Sequence, residues 1–75
     1  MPVLPLGDRI PKSHPSAFIA PDAWIIGDVE IGEEVSIFFG AVLRGDIQPI
    51  RVGARTNIQE HALLHSSHDL PPCIV

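Results

Sequence analysis

The stretch Ile19 to Leu43, IAPDAWIIGDVEIGEEVSIFFGAVL, carries an aliphatic residue at every sixth position: Ile19, Ile25, Ile31, Ile37 and Leu43. A step of six cannot line one face of a helix, because residues at that spacing rotate around a 3.6-residue turn instead of aligning. Four positions after each of the first four aliphatics stands a small or β-branched residue, Ala23, Val29, Val35 and Ala41, which marks a second inward position. The turn-forming pairs Pro21-Asp22, Gly27-Asp28 and Glu33-Glu34 fall at matching phase. The pattern predicts one short strand and one tight turn per repeat, three repeats making a triangular coil of about 18 residues.

After three extra residues the aliphatic step resumes at Val52, Ile58 and Leu64, with Thr56 and Ala62 at the second inward position and Ala54-Arg55 at a turn. The repeats divide into three faces: Ile19, Ile37 and Ile58; Ile25, Leu43 and Leu64; Ile31 and Val52. The fold class expected is all-β, a left-handed parallel β-helix of hexapeptide repeats with about two and a half coils. Residues 1–16 read as an N-terminal arm and residues 17–75 as the β-helix. The insertion is expected as a loop over 45–51, at the corner between the second and third faces. A second loop is expected over 66–73, where phase is lost, with Ile74-Val75 restarting a strand.

Composition narrows the function classes. A net charge of −4 with only five Lys and Arg gives no basic stripe for nucleic acid or anionic lipid, and no apolar run approaches the roughly 20 residues of a membrane span. One cysteine, Cys73, excludes an intrachain disulfide framework, and the opening MPVLPLGDRIP lacks the regions of a signal peptide, so a cytoplasmic location is expected.

The stretch RVGARTNIQEHALLH, Arg51 to His65, sets His61 and His65 four apart, the spacing of a metal-binding pair on a helix. The hexapeptide phase rejects that reading: His61 falls at a turn, while alternation along a strand sends Asn57, Gln59, Leu63 and His65 outward. The repeat makes Arg44 the neighbour of His65, since each follows an aliphatic of the second face one coil apart. A cation beneath an exposed imidazole favours its neutral, metal-binding form. Outward Val42 and Leu63 beside them suit a subunit interface. His14 reads as exposed and His68 as a solvated loop residue. Ser66, His65 and Asp69 stand too close along the chain to form a hydrolytic triad. Trp24, Phe38 and Phe39 read as packing aromatics rather than ligand contacts.

Val42-Leu43-Arg44-Gly45-Asp46, Thr56-Asn57-Ile58-Gln59 and Leu63-Leu64-His65, in this order within hexapeptide repeats, resemble the γ-class carbonic anhydrases and their bacterial homologues over nearly all of residues 15–75. The resemblance implies a homotrimer with zinc, or another divalent metal such as iron or cobalt, at the subunit interfaces, hydrating carbon dioxide reversibly to bicarbonate. It implies that His65 is the first of three metal-binding histidines and that Gln59 holds the metal-bound hydroxide or substrate. Arg44 and Asp46 match a charged interface pair, and Asn57 a polar residue lining the site. Bound zinc brings a water's pKa to about 7.

Some family features have no counterpart. In the family the other two histidines lie one coil further on than the first, in a segment that this sequence does not contain, so this chain alone is expected to be inactive, truncated before two of its three ligands. Glu60 stands where relatives more often carry aspartate, and Ile47-Gln48-Pro49 offers no proton-shuttling glutamate. Two alternatives stand beside the enzyme: a non-catalytic β-helix scaffold or assembly subunit, and, more weakly supported, a hexapeptide acyltransferase.

Overall fold

The computed structural model describes residues 3–65 and 73–75. Regular structure among them is entirely extended: β1 Val3–Leu4, β2 Lys12–Ser13, β3 Phe18–Ile19, β4 Trp24–Ile31, β5 Ser36–Ile37, β6 Val42–Val52, β7 Asn57–Ile58, β8 Leu63–His65 and β9 Cys73–Ile74. The strands pair in parallel, each with a strand about one coil away. The chain is a left-handed parallel β-helix of about three turns.

The ladders stack the residues that the six-residue step selects. Ile19 pairs with Ile37 and Ile37 with Ile58 on the first face. Ile25, Leu43 and Leu64 align on the second, and Ile31 and Val52 on the third. All but Ile19 are buried, together with Ala23, Val29, Val35 and Ala41 at the second inward position. Removing each Ile, Leu or Val side chain from water contributes about 1.5–3 kcal/mol, so the repeat is the main source of stability.

Two corners are tight turns carried by left-handed residues. Glu34 and Arg55 turn the chain from the third face to the first, with φ of 54° and 61°; Gly40 and His61, at 73° and 60°, turn it from the first to the second. The corner between the second and third faces differs from expectation. Gly27-Asp28 is not a separate turn: β4 runs through it, Gly27 bending at φ 75° while keeping its ladder partner Gly45. Glycine permits this, because a Cβ on Gly27 would lie 2.6 Å from the Gly45 carbonyl oxygen.

The insertion is likewise no free loop. Residues 45–51 lie inside β6, where Gly27 faces Gly45 and Val29 faces Ile50, so Asp28 alone stands opposite residues 46–49 in a bulge. Ile50 is wholly buried at the second inward position. Counted past three inserted residues it belongs to the repeat, although its place in the insertion assigned it to a loop. The arm also joins the β-helix: Val3 and Leu4 pair with Ile25 and Ile26, and Lys12 and Ser13 with Glu30 and Ile31. These short strands cover part of the edge that β4 would otherwise expose. Cys73, assigned to the second loop, pairs with Ile50 as the first residue of β9, and the rest of that loop lies outside the described residues.

Candidate functional site

The second face presents two outward columns. Trp24, Val42 and Leu63 form one, and Ile26, Arg44 and His65 the other, by direct ladder register. Leu63 is 62% exposed and Trp24 44%, an apolar strip alongside the charged column. Because β6 bulges immediately after Gly45, Asp46 departs from the regular alternation and its carboxylate meets both members of that column. Arg44 Nε lies 3.3 Å from Asp46 Oδ2, and His65 Nδ1 lies 3.9 Å from Asp46 Oδ1.

Arg44 Nη2 sits 3.4 Å from His65 Nδ1 and 3.3 Å from Nε2. A donor equidistant from both ring nitrogens points along neither lone pair, so this is a guanidinium–imidazole contact rather than a directed hydrogen bond. Arg44 Nε and Asp46 Oδ1 are buried without a hydrogen-bond partner. The close pair Arg44–Asp46 is therefore an ion pair of poor alignment, and an unsatisfied buried carboxylate oxygen costs about 1–3 kcal/mol until something donates to it.

Register brings Arg44, Asp46 and His65 together; Asn57 and Gln59 stand elsewhere. Asn57 is exposed on the first face, paired in register with Ser36, and exposed Gln59 follows it, its carbonyl accepting from the Ala62 amide at 3.2 Å. His61 occupies the expected turn, its backbone amide donating to Phe39. His14 is exposed and bonded to Ser16. His68, Ser66 and Asp69 lie outside the described residues.

Two arginines that the sequence reading passed over hold the bulge. Arg51 reaches Asp28 Oδ1 and Glu30 Oε2, each at 3.0 Å, and Arg9 donates to the Asp46 carbonyl oxygen at 2.6 Å. Pairing Asp28 with Arg51 needed the bulge register; nothing local in sequence signalled the reach of Arg9.

The donors present do not by themselves fit zinc. Among the described residues no three His, Cys, Asp or Glu side chains converge, and one imidazole with one carboxylate falls short of the three protein ligands of a catalytic zinc.

No family model matches the chain. Individual proteins do. The chain is 46% identical over 69 residues to a protein of Geobacillus kaustophilus named carbonic anhydrase, covering 92% of this chain and 38% of that one. It is 50% identical over 58 residues to γ carbonic anhydrase 1, mitochondrial, of Arabidopsis thaliana, covering 77% of this chain and 21% of that one. The chain belongs to the hexapeptide-repeat β-helix family of the γ carbonic anhydrases. Within this family the names diverge. A Bacillus subtilis protein called an uncharacterized transferase is 51% identical over 65 residues, 87% of this chain and 38% of its own length. A crystal structure of a Bacillus cereus protein assigned as an acetyltransferase superposes with a TM-score of 0.92 at 44% identity, over 97% of this chain and 42% of that one. The chain thus spans 38% or less of these curated relatives.

Proposed function

We propose that the chain forms part of a γ-carbonic-anhydrase-type site for reversible hydration of carbon dioxide to bicarbonate, assembled as a homotrimer in the cytoplasm. The observation that supports it most is the meeting of Arg44, Asp46 and His65 on one face, beside an apolar strip suited to a second subunit. In this reading His65 is one metal ligand. The other donors come from outside residues 3–65 and 73–75 or from neighbouring copies. Asn57 and Gln59, on the adjoining face, contribute to a site shared between subunits.

The chain's own residues have defined tasks in this scheme. Were His65 Nδ1, 3.9 Å from Asp46 Oδ1, to close on it as a donor, the orphaned oxygen would be satisfied. Such a contact would set the proton on Nδ1 and leave the Nε2 lone pair for a metal. Arg44 holds the ring from below, its Nη2 3.4 Å from Nδ1 and 3.3 Å from Nε2. Cysteine usage, one residue in the chain, supports the reducing location.

Stopped-flow hydration of carbon dioxide by the natural protein purified with zinc tests this reading. Turnover well above the uncatalysed rate that is lost in His65→Ala supports it. Equal turnover in both proteins, or none in either, sinks it. The relatives named as transferases favour one second reading, acyl transfer, for which acetyl-CoA consumption in the presence of amine or hydroxyl acceptors is the matching assay.

A further inference from the structure

The N-terminal arm reaches the site through Arg9. Between β1 and β2 the chain folds back at Gly7, φ 61°, and Leu6 and Arg9 bridge each other through backbone hydrogen bonds of 2.8 and 2.9 Å. This narrow turn lies over the corner between the second and third faces: Leu6 Cδ1 is 3.2 Å from where a Gly27 Cβ would be. From the same turn, Arg9 Nη1 donates to the Asp46 carbonyl oxygen, 37 residues away, at 2.6 Å.

Asp46 needs such support. It opens the bulge in which residues 46–49 stand opposite Asp28 alone, so the parallel ladder from β4 cannot satisfy each peptide group there. A bulge held at one end by Gly45 and at the other by Ile50 leaves Asp46 without a ladder partner on β4, and its carboxylate is carried by the same residue as the carbonyl that Arg9 holds. Fixing that carbonyl fixes the carboxylate's approach to His65.

We propose that Arg9 is a positioning residue: through the Asp46 carbonyl it holds the Asp46 side chain against Arg44 and His65. The role in catalysis rests on the reading of His65 as a metal ligand; the mechanical role does not. Arg9 is exposed, so its bond to the carbonyl is partly screened, and its loss should speed amide exchange at Asp46, Ile47 and Gln48 by about three- to tenfold.

The test compares unaltered natural protein with Arg9→Ala and Arg9→Lys, by hydrogen exchange and by ¹⁵N NMR of the histidine ring nitrogens. Expected are faster exchange confined to Asp46, Ile47 and Gln48 and shifted His65 ring signals in Arg9→Ala, with substantial recovery in Arg9→Lys, which keeps a cationic donor. Unchanged His65 signals, unchanged exchange at the bulge, failure of lysine to restore either, or equal acceleration at Ile25 and Leu43 overturns the proposal. Equal acceleration would mean general destabilisation. None of these readouts uses carbon dioxide, so absence of turnover in the unaltered protein defeats the enzymatic reading and leaves this test standing.

Discussion

Replacing Gly45 by alanine probes the glycine whose added Cβ would meet backbone most closely among the described residues, at the point where β6 leaves the site column. An added Cβ would fall on the Asp28 carbonyl oxygen, 2.7 Å from its carbonyl carbon and 2.9 Å from its amide nitrogen. All three atoms are backbone, so no rotamer change relieves the overlap. Restoring ordinary contact means moving one corner by roughly an ångström, against a core packed as densely as a crystal. The expected cost is about 3 kcal/mol, near the top of the range for overpacking. Gly7→Ala supplies the contrast: Gly7 has a positive φ of 61°, which Gly45 does not, but a Cβ there meets nothing within 4 Å, so backbone strain alone should cost about 1–2 kcal/mol. Urea denaturation with the slope held in common gives both values. Displacement of the Gly45 corner also shifts Arg44 and Asp46, so the His65 ring signals should move in Gly45→Ala. If Gly45→Ala costs no more than Gly7→Ala, the close stacking of the corner is wrong.

Leu43→Ala, at a wholly buried position in the middle rung of the second face, should destabilise by about 2–5 kcal/mol in the same denaturation assay; a loss under 1 kcal/mol would mean that the rung is not packed as described. Arg51→Gln removes a half-exposed clamp on Asp28 and Glu30 and should cost about 1 kcal/mol, the difference shrinking as salt approaches 1 M, whereas a salt-independent loss would point to packing instead. Leu63→Asp sets a charge in the exposed strip with Trp24 and Val42. Sedimentation velocity should show the assembly shifted to smaller species, and an unchanged distribution would place the subunit interface elsewhere.

The core was legible because a β-helix writes its geometry at a fixed interval. Ile25, Leu43 and Leu64 meet only because equal chain lengths separate equal faces, and the same arithmetic set Arg44 under His65. Where the interval breaks, the reading weakened. Ile50 was hidden because three inserted residues removed it from phase, and the register shift opposite Asp28 had to be seen before it could be returned to the core. The Gly27 corner was mistaken for a turn because glycine serves equally well in a turn and in a bent strand that keeps its ladder. Arg9 could not be found at all: its partner is a backbone carbonyl 37 residues away, and a carbonyl has no sequence signature. Asp46 followed from the family resemblance, while its approach to His65 needed the bulge.

The central claim is that this chain helps hold a metal between copies of itself through His65. Native mass spectrometry of the natural protein, purified with zinc present, reads subunit number and metals per subunit together. The account predicts a trimer carrying about one zinc per subunit, with the metal lost and the trimer retained in His65→Ala. A metal-free assembly, or one whose zinc content is unaffected by that substitution, would contradict it.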